Sequence, residues 1–320
     1  MKINEIENID CLQGLKSLPD NSIDCCVSSP PYWGLRNYNI EGQIGQENEF
    51  IDFVGSLLSI FTEVKRVLKP TGTCFVNLND TYGGSGSGTT KNVDTDKYIQ
   101  NSKQVYVLPN GDAKSNKLRG TTYNKSLLMI PERFAIAMID SGWVLRNKII
   151  WHKPNQMPTS VEDRFTVDFE DIFFFVKQAT GYYFEQQLDP YFKPLDRWAG
   201  DKLEANGESK WDNGSGQKAY RDRDMRPNPD GKNARTVWSI NTEPFGEGHY
   251  ATYPEKLAER MIKAGCPVGG VVLDPFMGAG TTGMVAKKLN RHYIGFELNP
   301  DYVKLAKNRI FNEIGLFDSV

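Results

Sequence analysis

The chain has 320 residues, 39% of them hydrophobic and 24% charged, with a formal net charge of −2. These values describe a soluble globular protein large enough for one α/β domain with a smaller inserted or appended region, and they exclude a disordered chain and a globally basic nucleic-acid binder, though not a local basic face. No apolar run is long enough to span a bilayer, and residues 1–5 form neither a secretory nor a lipidation signal, so the expected location is the cytoplasm, with no membrane partner.

Ile3, Ile6 and Ile9 alternate with polar residues and lead into Asp10-Cys11-Leu12 and a helical turn ending at Leu18-Pro19-Asp20, which predicts an edge of the sheet. Ser22 to Ser28 has the small, apolar, β-permissive composition of a short buried strand, cut off by Pro30 and Pro31. Two consecutive prolines fix two φ angles and remove two N–H donors. The Ser29 hydroxyl and the Pro30 carbonyl are thereby left as rigidly aimed acceptors beyond a strand's carboxyl end, an arrangement that suits an NH2 group. Tyr32 would supply a flat aromatic wall, extended by Trp33; taken alone, the same residues also describe a proline-stiffened surface turn.

Apolar residues at Phe50, Phe53, Val54, Leu57, Leu58, Phe61, Val64 and Leu68 predict a packing helix over 48–68 that Lys69-Pro70-Thr71-Gly72 terminates. Thr73–Leu78 reads as the next buried strand, ending at Asn79-Asp80, so that strand, helix and strand form a parallel crossover. A glycine-rich and polar run over about 83–125 is too long for an ordinary connection; it is expected to be mobile without ligand and to close over one that binds. From Lys103 to Lys153 there are nine basic residues against three acidic, the best candidate in the chain for phosphate contact. Ile130–Ile139 predicts an amphipathic helix, and Lys148–Trp151 and Asp171–Lys177 two strands that pair antiparallel. Between Gly181 and Thr236 the periodicity is lost, and Trp198, Trp211, Tyr220, Arg221, Arg223 and Arg226 stand among Asp, Gly and Asn residues, as in a separate, irregular recognition region.

Val271–Thr282 combines a buried strand, a glycine turn and a helix start, and a second strand, His292–Phe296, ends in Glu297, whose carboxylate can accept both ribose hydroxyls. The spacing departs from Gly-x-Gly-x-x-Gly and no basic residue lies in the turn to meet a pyrophosphate, so a nucleoside without phosphates fits better than NAD or FAD. Cys11, Cys25, Cys26, Cys74 and Cys266 are odd in number, and His152, His249 and His292 lack ligand spacing. Neither a disulfide framework nor a metal site is expected, and Cys25 and Cys26 should point to opposite faces of their strand.

Asp-Pro-Phe-Met-Gly-Ala-Gly-Thr-Thr at 274–282 resembles the S-adenosylmethionine motif of amino-group DNA methyltransferases, and Ser-Pro-Pro-Tyr at 29–32 resembles their catalytic motif. The order, catalytic motif first and cofactor motif last, resembles the beta arrangement of that family, found in restriction-modification systems. His249–Leu257, Asp10-Cys11-Leu12, and Trp151–Asn155 with Pro158, Ser160 and Arg164 resemble its lesser motifs, the last backing the target-base pocket. The likeness covers nearly the whole chain except about 83–125 and 181–235. It implies an α/β fold, a Rossmann-like S-adenosylmethionine-dependent methyltransferase sheet with helices on both faces, plus a smaller irregular target-recognition region. It implies a catalytic half at 1–180, target recognition at 181–240 and a cofactor-binding half at 241–320.

The resemblance further implies that Asp274, Phe276, Gly278, Gly280 and Thr281 shape the methionine end of the cofactor site. Glu297, with Asn299 beside it, would hold the ribose, and Asp10 would lie near the adenine. Ser29 and the Pro30 carbonyl would accept from the target amine, Pro31 would stiffen the turn, and Tyr32 would stack on a base flipped out of double-stranded DNA. Serine in the first motif position is more usual for N4-cytosine enzymes and aspartate or asparagine for N6-adenine enzymes, so cytosine N4 is the expected target and adenine N6 the alternative. Carbon-5 methylation is disfavoured because no Pro-Cys pair is placed as a ring-attacking nucleophile. A methyltransferase acting on RNA or a small molecule would not need so long a recognition region, and a silent DNA-binding module would have lost Ser29–Tyr32 or Glu297. The family also leaves room for a homodimer and for a cognate restriction endonuclease acting separately.

Overall fold

A computed structural model describes residues 1–35, 40–84, 118–191, 228, 230–243 and 253–315, with side chains to 312. In chain order the described elements are β1 (Glu5–Asn8), α1 (Cys11–Ser17), β2 (Ile23–Ser28), α2 (Phe50–Val67), β3 (Leu68–Leu78), α3 (Ile130–Asp140), β4 (Val144–His152) and β5 (Phe169–Val176). They continue with β6 (Leu188–Asp189), β7 (Lys232–Asn233), β8 (Val237–Ser239), α4 (Glu255–Gly265), β9 (Val271–Asp274), α5 (Thr281–Lys288), β10 (His292–Glu297) and α6 (Pro300–Gly315). Two compact units result, one of Met1–Glu185 with Thr236–Val320 and one of Gln186–Arg235, the latter holding the antiparallel pair β6–β7.

The larger unit is built on an eight-stranded sheet of order β1-β10-β9-β2-β3-β5-β4-β8. The strands from β1 to β3 are mutually parallel, and β5 then runs antiparallel to both β3 and β4. The expected antiparallel pairing of 148–151 with 171–177 is present, with Ile150 opposite Asp171. β2 is buried along its whole length, as a strand covered on both faces must be. Its period of two sends Cys26 into the core with α1, α2 and α3, and Cys25 and Val27 into the core with α4, α5 and α6. Among the described residues, three helices thus cover each face. All five cysteines are buried and free. Among the described residues no helix is long and apolar enough to cross a membrane.

The crossover from β2 to β3 uses α2 on the first face, and that from β9 to β10 uses α5 on the second. Because β2 and β9 are neighbours, their chains leave in opposite directions and open a crevice at their carboxyl ends, the position where open α/β sheets bind ligands. The helix ends as expected before Lys69, but β3 begins earlier than the expected Thr73: Lys69–Gly72 lies within it, because Leu68 is already extended and paired with Ile23, and the next pair is Thr73 with Cys25. The extra residues are absorbed as an irregularity within β3, where Pro70 needs no ladder donor.

Gly14 lets α1 lie against β10, since a Cβ there would sit 2.5 Å from the ring of fully buried Phe296. Gly14→Ala is expected to lower stability by about 1–3 kcal/mol through overpacking, read from urea denaturation midpoints; an unchanged midpoint would contradict this packing.

Candidate active site

On the β9 side of the crevice, the strand ends in Asp274, which is 2% exposed. Its Oδ1 accepts from the Ser28 hydroxyl at 2.8 Å and from the Phe276 amide at 3.0 Å. Its Oδ2 accepts from the Thr282 hydroxyl at 2.5 Å and lies 3.5 Å from the Tyr253 hydroxyl, which itself bonds Thr282. Burial pushes the Asp274 carboxyl up from its usual range while these donors pull the other way. Asp274 therefore ties the end of β2 to the turn after β9 and to the segment that leads into α4.

The turn itself needs its glycines. Gly280, the N-cap of α5, has φ +81°, and a Cβ there would lie 2.7 Å from that of Ala306 in α6. Gly278 also has positive φ, and its amide donates to Glu297 Oε2 at 2.8 Å. The Asn299 amide donates to Glu297 Oε1 at 2.7 Å, while the Asn299 side chain caps α6 by accepting from the Asp301 amide. The half-buried Glu297 carboxylate is thus aimed by one N–H per oxygen, with lone-pair capacity left on each for two hydroxyls. Burial raises its pKa. Asp10 caps α1 by accepting from the Gln13 amide at 3.0 Å, two residues beyond Asn8, which is the register partner of Glu297. Burial together with the charges of Asp10 and Glu297 pushes the Cys11 thiol up to about 12. Phe276 is partly buried against the first core, and the Thr281 hydroxyl accepts from Arg309 of α6.

On the other side, Ser29 and Tyr32 follow the end of β2, with Pro30 buried between them. The Ser29 hydroxyl donates to Asn77 Oδ1 at 3.2 Å. Asn77, 1% exposed, cannot be turned the other way round, because its Nδ2 donates to the Asp171 carbonyl, which can only accept. The Tyr32 hydroxyl lies 2.7 Å from Glu170 Oε2, 3.1 Å from Asn77 Oδ1 and 3.4 Å from Ser29 Oγ. The carboxylate at 2.7 Å is the strongest acceptor of the three. Lys153 bonds the other oxygen of Glu170 and lies 4.6 Å from the Trp151 ring centroid. Trp33 does not extend this wall. It is 3% exposed, packs edge-on to Phe50 and donates to the Glu47 carbonyl, so its apolar area belongs to the core.

Asn77 and Glu170 were not singled out from sequence, and Tyr253 and Thr282 were read only as members of the stretches 249–257 and 274–282. The signal for the first two was a polar residue inside or at the mouth of an otherwise apolar strand, which burial makes costly unless it is bonded. The ends of the long polar run are closed by a Tyr82–Leu127 bridge and by bonds of Gly83 with Lys125 and Ser126. Residues 85–117, on which the expectations of mobility and closure mostly fall, lie outside the described residues, as do Trp198, Trp211, Tyr220, Arg221, Arg223, Arg226 and His249. Among the described residues no group of His, Cys, Asp and Glu could hold a metal ion.

A family model described as DNA methylase, N6_N4_Mtase, matches residues 23–308. Type II methyltransferase M.Cfr9I of Citrobacter freundii is 38% identical over 308 residues, covering 95% of this chain and 86% of the relative. Type II methyltransferase M.SmaI of Serratia marcescens is 38% identical over 301 residues, covering 94% and 88%. Among solved structures, PvuII DNA methyltransferase (cytosine-N4-specific) aligns with a TM-score of 0.59 at 20% identity, covering 97% of this chain and 90% of that one. A DNA modification methylase of Thermus thermophilus, TTHA0409, complexed with S-adenosyl-L-methionine, aligns at 0.56 with 22% identity, covering 97% and 95%. At those identities the structural likeness bears on the fold.

Behind Asn77 lies a second buried acid. Asp171 Oδ2 pairs with Lys148 at 3.1 Å, while its Oδ1 is buried without a hydrogen-bond partner. Burial pushes this carboxyl up to about 6, with Lys148 opposing and Glu132 and Asp80 adding to the rise. A raised acid favours the fold below its unfolded value near 4, and that contribution is lost as pH climbs through about 6. Stability is expected to fall by on the order of 2 kcal/mol across that window, and Asp171→Asn to remove this step from the stability profile measured by urea denaturation. An identical profile in the variant would contradict the assignment.

Proposed function

The chain belongs to the DNA methylase family, and on that premise we propose that it transfers a methyl group from S-adenosylmethionine to the exocyclic amine of a base flipped out of duplex DNA, with cytosine N4 as the target. The observation that carries the reading is the Ser28–Asp274 hydrogen bond. It fastens the residue before Ser29 to the first residue of the glycine turn, so the amine acceptors and the ribose-holding turn share one crevice. S-adenosylmethionine, when bound, supplies a methyl group activated as a sulfonium.

The residues of the chain do the rest. Glu297 accepts the two ribose hydroxyls with the lone pairs that Gly278 and Asn299 leave open, and Asp10 lies toward the adenine. Phe276, Gly280 and Thr281 shape the methionine end, where Asp274 acts by holding the turn rather than by offering a spare oxygen. An exocyclic amine is a poor nucleophile because its lone pair is delocalised into the ring. With its own proton directed to Asn77, Ser29 Oγ faces the amine as an acceptor, and the Pro30 carbonyl, stiffened by Pro31, is the second. Two acceptors favour a pyramidal nitrogen and stabilise the positive charge that grows on it, an electrostatic preorganisation. Tyr32 stacks on the flipped base.

Cytosine N4 is favoured over adenine N6 by the serine in the first motif position and not by the two acceptors, which either amine needs. The stretches 1–180 and 241–320 form the catalytic and cofactor-binding halves. Target reading falls to 181–240, within which Gln186–Arg235 is a compact unit of its own.

The test is transfer of a radiolabelled methyl group to unmethylated genomic DNA, followed by digestion to nucleosides. N4-methylcytosine is the expected product, and Ser29→Ala is expected to lower kcat by about tenfold or more with KM for DNA within about threefold, as for a group acting in the transition state. N6-methyladenine would move the target base, and label on cytosine carbon 5 or an undiminished Ser29→Ala rate would overturn the mechanism.

A further inference from the structure

Glu170 and Lys153 form an ion pair that is nearly closed to solvent, with side chains 8% and 12% exposed. Such a pair contributes little to stability, because desolvating two charges offsets their attraction, and apolar replacements of similar volume are often neutral or better. The rest of β5 is apolar and buried from Ile172 to Val176, so a carboxylate at its start is a local cost. What the pair provides is a direction. Lys153, just beyond the end of β4, takes Oε1, and Oε2 is presented to the Tyr32 hydroxyl at 2.7 Å. Trp151, the register partner of Glu170, lies under the Lys153 ammonium and fixes its position from the other side.

We propose that the Glu170–Lys153 pair is a positioning device for Tyr32, one that locks the ring plane before a base arrives. The inference rests on the methyl-transfer reading above and deepens it by assigning two residues to base capture. The consecutive prolines Pro30 and Pro31 stiffen the chain that leads into Tyr32, and the charge-assisted bond to Glu170 limits the far end of its side chain. A ring held at both ends loses little rotational freedom when a base stacks on it, so the pair acts on capture of the flipped base rather than on charge development at its amine. Neither residue touches the reacting atoms; both act through Tyr32.

Removing one partner would strand a buried charge and destabilise the fold, so the charges are removed together. Three proteins are compared with wild type in methyl transfer to unmethylated genomic DNA, with thermal unfolding as the check on folding: Glu170→Leu/Lys153→Met, Glu170→Gln/Lys153→Met and Tyr32→Phe. The first loses the acceptor and is expected to raise KM for DNA about three- to tenfold, with kcat within about twofold. The second keeps an acceptor oxygen for the phenol but lacks the charge and the lysine that aims it, and is expected to recover only part of the loss. Tyr32→Phe should match the first, and adding Glu170→Leu/Lys153→Met to it should change nothing further. An unchanged KM in the apolar pair, a loss confined to kcat, or a full additional loss in the Tyr32→Phe background would each overturn the proposal. Failure of the glutamine variant to rescue, with its unfolding midpoint preserved, would do the same. Absence of methyl transfer by the wild-type protein would instead strike the functional reading, and this proposal with it.

Discussion

The carboxylate of Asp274 is the constraint on which the crevice depends. An acid 2% exposed at the end of a central strand is tolerable only when its lone pairs are filled, and the Ser28 hydroxyl, the Phe276 amide and the Thr282 hydroxyl fill them, with Tyr253 bonded to Thr282 behind. These groups come from the end of β2, from the glycine turn, from the first turn of α5 and from the segment before α4. They lie far apart in sequence, and a single buried charge requires all of them to meet. At the carboxyl ends of two strands whose crossovers leave to opposite faces, this polar hub joins segments that apolar packing joins elsewhere in the sheet.

The groups proposed to act on the ligands stand one or two steps from that hub. Ser29 follows Ser28, so its backbone is fixed by its neighbour's bond to Asp274, while its hydroxyl is oriented independently by Asn77. Glu297 is on β10, the neighbour of β9, and is reached from the turn through the Gly278 amide. The result is a division of labour among buried acids. Asp274 joins, Glu297 keeps capacity for hydroxyls, and Glu170 has one oxygen for Lys153 and one for Tyr32. Similar chemistry is given different roles by the number of donors each meets.

Much of this was legible in the sequence where the signal is local. The proline pair after an apolar strand, the glycine turn after Val271–Leu273 and the acid after the next strand each read as what they are, because strand period, turn chemistry and strand-end placement are short-range rules. The α/β class and the antiparallel pair 148–151 with 171–177 follow for the same reason. Partnerships were not legible. Thr281 was singled out, yet Thr282 meets Asp274, because which of two adjacent threonines faces the strand depends on the phase of α5. Trp33 reads as part of a site by adjacency to Tyr32, but its ring turns into the core against Phe50. Asn77 lies 48 residues from Ser29 and Glu170 lies 138 from Tyr32, and no pattern in one chain reports contacts at such separations. Lys69–Gly72 has turn composition and became strand because pairing of Leu68 with Ile23 overrode it.

The claim that one crevice, closed by the Ser28–Asp274 bond, holds both the cofactor and the flipped base is tested most directly by a crystal structure of the protein with duplex DNA and an unreactive cofactor analogue. The exocyclic amine is expected within hydrogen-bond distance of both Ser29 Oγ and the Pro30 carbonyl, with Tyr32 stacked on the base, Glu297 on the ribose hydroxyls and the Ser28–Asp274 bond intact. A base seated away from Ser29, or a cofactor whose ribose does not meet Glu297, would contradict it.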